Sequence, residues 1–178
     1  IASSSDLCFD ANGATLVISV TGGVVPYTYS INGNPSQNGN TFSNLTPGTY
    51  MIVVVDGNGC STTVSQTIQP QLNAAASLTK GLDCTSSPNA AIATTITGGL
   101  APYTYQVSFN GGAFGSSNTV VGNNFVYATA SAGTYQFLIT DAQGCVFTTS
   151  IITVNPLTQP EITSVLEIQS ILCFGGNN

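Results

Sequence analysis

Hydrophobic and polar residues alternate along most of this chain, in short runs that turn-forming residues interrupt. Tyr27, Tyr29 and Ile31 occupy every second position, which places their side chains on one face of a strand. The β-branched run TLVISVT (15–21) and the run YMIVVV (50–55) are typical of strands. Because no segment keeps an apolar period near 3.6 residues, we predict no helix of consequence.

Turn signals separate these runs at roughly the 8–12-residue spacing that β-sandwiches show. They include Asn32-Gly33, Asn38-Gly39, Pro47-Gly48 and the tight turn at Asp56–Gly59. We therefore predict an all-β protein built from Ig-like or fibronectin-III-like β-sandwiches. Near Pro47-Gly48 we also predict a corner, where the chain changes sheets and the Tyr50 hydroxyl binds the backbone.

One stretch occurs twice, as TGGVVPYTY (21–29) and as TGGLAPYTY (97–105). Each copy is preceded by a Cys and followed by Gly-Thr-Tyr and then by Asp-x-x-Gly-Cys. In the first copy these are Cys8, Gly48–Tyr50 and Asp56–Cys60. In the second copy they are Cys84, Gly133–Tyr135 and Asp141–Cys145. The shared order predicts a linear array of two modules.

We place repeat 1 at 1–70 and repeat 2 at 71–156. LCFGGNN around Cys173 parallels LCFDANG around Cys8, so we expect 157–178 to hold a linker and the first strand of a third repeat. On this interpretation the sequence is a segment of a longer protein.

Repeat 2 is longer than repeat 1 by about nine residues between Tyr105 and Gly133. The insertion falls within Gln106–Ala130, and insertions usually occupy loops or hairpin tips. We therefore predict a candidate ligand surface made by its aromatic side chains, Phe109, Phe114, Phe125 and Tyr127.

The charge content excludes several classes of partner. Charged residues make up 4% of the chain, Lys80 is the single basic residue, and the net charge is −6. Nucleic-acid binding and a polybasic membrane patch both need Lys and Arg, so neither is expected. No apolar run reaches the roughly 20 residues that span a bilayer. We expect an extracellular protein whose solubility comes from uncharged polar residues.

The chain also lacks the usual residues of catalysis. There is no His, and general acid–base chemistry would depend on seven carboxylates or on Tyr. No close pair of carboxylates recurs in both copies. We predict that the protein is not an enzyme and that it has neither catalytic residues nor a cofactor.

Three Asp residues at turns, Asp10, Asp56 and Asp141, are weak candidates for calcium ligands, because some extracellular modules bind calcium through carboxylates. Asp also opens turns by accepting backbone hydrogen bonds, and we favour that role. For the tyrosines at 27, 29, 103 and 105, we favour packing within the sandwich over stacking against sugars.

The cysteines are spaced too widely for a thiolate metal site, which favours disulfides in an oxidising exterior. Two arrangements compete: Cys8–Cys60 with Cys84–Cys145 inside the repeats, or Cys60–Cys84 with Cys145–Cys173 across the junctions. Cys8 lies just before the turn that opens the second strand, and Cys60 lies just after the turn at Asp56–Gly59. These turns share one end of the sandwich, where the cysteines could bond, only if an odd number of strands lies between the PYTY strand and the GTY strand. Repeat 1 offers one clear strand there, 41–45, so we favour pairing inside the repeats.

The combined order of Cys, GGxxPYTY, GTY and DxxGC resembles the SprB-type repeat of very large surface adhesins in gliding and other Bacteroidota. The likeness covers both copies and the start of the third. It implies an Ig-like fold, export by the type IX secretion system, and a role in cell adhesion or gliding motility at the bacterial surface.

These features favour a stalk segment of a long adhesin, in which neighbouring repeats are the main partners. One alternative is that the repeats bind a surface polysaccharide or another cell-surface protein through the insertion in repeat 2. A second alternative is side-by-side assembly into a filament, through sheet edges that lack protective Lys.

Overall fold

The computed structural model describes residues 1–2, 5–85, 89–158 and 160–166. These residues form thirteen strands and no helix, so the all-β prediction is confirmed and no described segment could cross a membrane as a helix. The strands are β1 (Ala14–Val17), β2 (Thr28–Ile31), β3 (Thr41–Leu45), β4 (Gly48–Val55), β5 (Ser61–Ile68), β6 (Asn73–Lys80), β7 (Ala90–Thr97), β8 (Tyr103–Phe109), β9 (Asn118–Val120), β10 (Asn124–Thr129), β11 (Gly133–Thr140), β12 (Val146–Thr148) and β13 (Ile152–Val154).

In repeat 1, β1 pairs with β3, and β2, β4 and β5 form a second antiparallel sheet. Alternate side chains of these strands point between the two sheets, as the period-two pattern requires. They form one buried cluster: Ala14, Leu16, Ile18, Tyr29, Ile31, Ile52, Val54 and Ile68.

In repeat 2, one sheet has the order β10-β7-β6. In the other, β11 lies between β8 and the two short strands β12 and β13, and β9 pairs with β8. The larger core between the sheets includes the fully buried Ile92, Phe137 and Ile139.

The buried side chains thus fall into two clusters, one ending at Ile68 and the next beginning at Leu72. Cys8, although it belongs to repeat 1, packs against the cluster of repeat 2. Residues 160–166 form no strand. The rest of the predicted third-repeat strand, together with Cys173, lies outside the described residues.

The extra residues of repeat 2 lengthen elements that repeat 1 also has, together with the hairpin tip between two of them. β8 is longer than its counterpart β2, β9 and β10 pair with β8 and β7, and 110–117 form a largely exposed connection between β8 and β9. The pattern of β10 turns Phe125 and Tyr127 inward and Val126 outward. The predicted hairpin tip is therefore present at 110–117, but residue spacing did not show that the strand after it places two of the aromatic side chains against the core.

The number of strands between the PYTY and GTY strands is even. In repeat 2, β9 and β10 both lie between β8 and β11. In repeat 1, β3 has the same place as β10, and a short bridge between Gln37 and Tyr29 has the place of β9. The opening and closing cysteines of one repeat therefore lie at opposite ends of its sandwich.

Candidate functional site: the junction between the repeats

The closing turn of repeat 2 is held by one buried carboxylate. Asp141 Oδ1 accepts hydrogen bonds from the backbone N–H groups of Gln143 and Cys145, at 2.8 and 2.9 Å. Its Oδ2 accepts from Leu100 N–H at 2.9 Å. A side chain that is 6% exposed thus fastens the TGGLAPY loop to the DxxGC turn.

Asp56 makes the same connection in repeat 1, where it is half-buried. It accepts backbone hydrogen bonds from Val24, Asn58 and Cys60. The bonds from Val24 and then Cys60 lower the pKa of Asp56 below its ordinary value, because they stabilise the charged form. Asp10 likewise accepts from Asn12 N–H at 2.7 Å.

The turn-capping role favoured for these three Asp residues is therefore confirmed. Within the described ranges, no three His, Cys, Asp or Glu side chains come together in a group that could hold a metal ion. A calcium ion at Asp56 or Asp141 would compete with backbone donors for carboxylate oxygens that are already engaged.

The first tyrosine of each PYTY stretch also ties down the loop before it. The Tyr27 hydroxyl donates to the Gly22 carbonyl at 2.6 Å, and the Tyr103 hydroxyl donates to the Gly98 carbonyl at 2.8 Å. Tyr29 and Tyr103 are buried in the two cores. The predicted packing role holds for these tyrosines, and hydrogen bonding to the loop is an added function.

A disulfide joins the two repeats. It links Cys8 of repeat 1 to Cys145 of repeat 2, with 5.4 Å between the Cα atoms and 137 residues between the two positions. The pairing Cys8–Cys60 with Cys84–Cys145 that the sequence favoured is absent from the structure. Because an even number of strands lies between the PYTY and GTY strands, Cys8 and Cys60 lie at opposite ends of repeat 1. The cysteine within reach of Cys8 is therefore in repeat 2.

The alternative pairing across the junction also differs from the structure. Cys60 and Cys84 are exposed free thiols, and Cys145 is bonded to Cys8 rather than to Cys173. β5 separates Cys60 from the junction on one side, and β6 separates Cys84 from it on the other. Each strand has eight residues, so each separation is roughly 26 Å. A disulfide requires Cα atoms within about 7 Å.

The disulfide borders a cavity of 340 Å³ between the repeats. Its walls come from the opening segment of repeat 1, the connection Gln69–Leu72, and the closing turn of repeat 2. Gln143 is one of the lining residues, and its Oε1 atom is buried without a hydrogen-bond partner among the described residues.

The connection between the repeats fits against the second TGG loop. Gly99 N–H donates to the Pro70 carbonyl at 2.8 Å. Gly98 has φ of 67°, and a Cβ there would overlap the Gln71 carbonyl oxygen. Glycine is thus required both by the backbone angle and by the close approach of the connection.

The structure does not gather the four aromatic residues of the insertion into one exposed surface. The ring of Phe125 stacks on that of Tyr105, with 4.0 Å between centroids, and Tyr127 packs against Phe137 and Tyr135. Phe114 is half-buried. Phe109, which is 43% exposed, is left as the accessible ring of the four, and it contacts Tyr135.

A family model described as the SprB repeat matches two stretches of the chain, residues 1–36 and 79–112. One match lies at the start of each repeat, which confirms the resemblance drawn from the motifs. The match is consistent with repeats of the surface-adhesin type. No curated protein sequence is significantly similar to this chain.

Among solved structures, the chain is similar to the BSP domain of a biofilm-associated protein, with 15% identity and a TM-score of 0.33, over 88% of this chain and 29% of the other. It is also similar to the β-glucuronidase of Ruminococcus gnavus in complex with uronic isofagomine, with 13% identity and a TM-score of 0.33, over 72% and 30%. The chain thus spans under a third of each structure, and at these scores neither likeness bears on function.

Proposed function

We propose that this chain is a load-bearing stalk segment of an extracellular adhesin, in which the disulfide between repeats limits extension. The observation that carries the proposal is the bond between Cys8 and Cys145, which joins two modules that have separate cores. Such a bond adds a covalent link parallel to the backbone connection at Gln69–Leu72.

The position of the bond determines the path of a pulling force. When the chain is pulled from its two ends, tension passes from the N-terminal segment through the disulfide to the segment after Cys145. The 137-residue interval between the two cysteines is bypassed. Both cores lie almost entirely within that interval, so the unfolding of either repeat adds no length between the two ends of the chain.

The SprB match supports a place for this stalk at the cell surface. The finer parts of the proposal follow from the resemblance: export by the type IX system, a Bacteroidota source, and service in adhesion or gliding. The partners of the segment are neighbouring repeats, and contact with surface polysaccharide or other surface proteins occurs elsewhere in the parent protein.

Single-molecule force spectroscopy on the full chain, held at its two ends, tests the stalk directly. We expect the reduced chain to gain up to about 480 Å more extended length than the oxidised chain, because a fully extended residue spans about 3.5 Å. The chain carrying both Cys8→Ser and Cys145→Ser is the matched control, and it should extend fully without reductant. Equal extension of the oxidised chain and this variant would refute the proposed role.

A further inference from the structure

The end of repeat 1 that lies away from the junction has the same elements as the end of repeat 2 at the junction, but no described residues of another repeat cover it. Cys145 is 8% exposed beneath the opening segment of repeat 1, whereas its equivalent Cys60 is exposed. A Cβ at Gly98 would overlap the connecting chain, whereas nothing described lies within 4 Å of a Cβ at the equivalent Gly22. The same loop, turn and cysteine are thus built at both ends, and one of them is covered.

The opposite end of the molecule has the complementary cysteine. Cys84 is equivalent to Cys8 and lies beyond β6, which runs away from the junction. The segment around it is ordered by Asp83, which pairs with Lys80 Nζ at 2.9 Å and accepts from the Thr85 hydroxyl at 2.6 Å. The hydroxyl and then Lys80 lower the pKa of Asp83 to about 2.

We propose that each end of this two-repeat unit binds another repeat of the same type, as repeat 1 binds repeat 2. Cys84 then bonds to the closing cysteine of the repeat that follows, and Cys60 bonds to the opening cysteine of the repeat that precedes. In each reaction two thiols lose two protons and two electrons to a disulfide oxidant, which is reduced to two thiols. The inference rests on the junction geometry and extends the proposed stalk.

Crosslinks of this kind overlap along the chain. The opening cysteine of every repeat is bonded to the closing cysteine of the next, so each repeat takes part in two bonds. Tension then crosses from one disulfide to another through the short segment between a closing cysteine and the next opening cysteine. The long segment inside each repeat is bypassed, which limits the extension of the whole array.

A mixing experiment tests the pairing with a second copy of the full chain as the neighbouring repeat. One variant carries Cys60→Ser and the other carries Cys84→Ser, and both carry Cys173→Ser so that the third thiol is removed. The two variants, distinguished by isotope labelling, are combined in a buffer of reduced and oxidised glutathione. Non-reducing mass spectrometry then counts dimers of each type.

We expect the dimer that joins Cys84 of one variant to Cys60 of the other to exceed each like-with-like dimer at least tenfold. If exposed thiols react by random collision, the mixed dimer and the two like-with-like dimers form in a ratio of two to one to one. That ratio would overturn the inference, and so would the absence of the mixed dimer. These outcomes leave the force experiment on the single chain unaffected, so failure of this pairing is distinguishable from failure of the stalk.

Discussion

At the scale of single residues, the carboxylate of Asp141 organises the junction through three hydrogen bonds from backbone N–H groups. It fixes the loop that receives the Gln69–Leu72 connection and the turn that presents Cys145. With so few charged residues in the chain, this geometry depends on hydrogen bonds between a carboxylate and the backbone, which are stronger than neutral hydrogen bonds.

Replacement of Asp141 by Asn should destabilise repeat 2 by about 1–3 kcal/mol, because the amide offers one acceptor oxygen where the carboxylate offers two. Urea unfolding followed by circular dichroism measures the change. Asp56→Asn is the matched control and should cost less, since Asp56 is half-buried. Unchanged unfolding of the Asp141 variant would contradict the anchoring role.

Some of these residue roles could be predicted from sequence and others could not. The roles of Asp at the first position of a turn and of Tyr in the Gly-Thr-Tyr motif have local causes, so they follow from a few neighbouring residues. The inward direction of Phe125 depends on which strand β10 pairs with, and that pairing is set far away in sequence. The exposed aromatic surface was predicted wrongly for this reason.

At the scale of elements, the corner before the GTY strand confirms the prediction made for repeat 1, and the same corner is present in repeat 2. The Tyr50 hydroxyl donates to the Thr46 carbonyl, and the Tyr135 hydroxyl donates to the Ser131 carbonyl, each at 2.8 Å. These bonds brace the entries to β4 and β11, the strands at the centre of the larger sheet in each repeat. The corner therefore fixes the backbone where the chain enters these central strands.

Tyr135→Phe should lower the free energy of unfolding of repeat 2 by about 1 kcal/mol, since it removes one hydroxyl and keeps the buried ring. Thermal unfolding of the full chain measures the loss. Tyr50→Phe provides the comparison in repeat 1, where the bond is more exposed and the loss should be smaller. A larger loss for Tyr50→Phe than for Tyr135→Phe would show that burial does not control the strength of this brace.

The strand count was the element-scale feature that sequence did not show. β9 has three residues, and its counterpart in repeat 1 is the single bridge at Gln37. Elements this short have no readable periodicity. Their omission changed an even count to an odd one, and the expected disulfide pairing changed with it.

At the scale of the whole molecule, the repeated motifs were sufficient to predict tandem β modules, but the link between the modules required the structure. The repeats are related so that the opening end of one meets the closing end of the next. The Cys8–Cys145 bond joins these two ends. An array built on this relation resists extension through its covalent pattern as well as through the stability of its cores.

The tryptic fragment pattern tests the pairing most directly, because Lys80 is the single basic residue and separates Cys8 from Cys145. The chain carrying Cys60→Ser, Cys84→Ser and Cys173→Ser is oxidised, any remaining thiols are blocked, and it is unfolded and cut after Lys80. The account predicts that the two fragments stay joined without reductant and separate when it is added. Fragments that separate without reductant would contradict the bond between repeats and the stalk built on it.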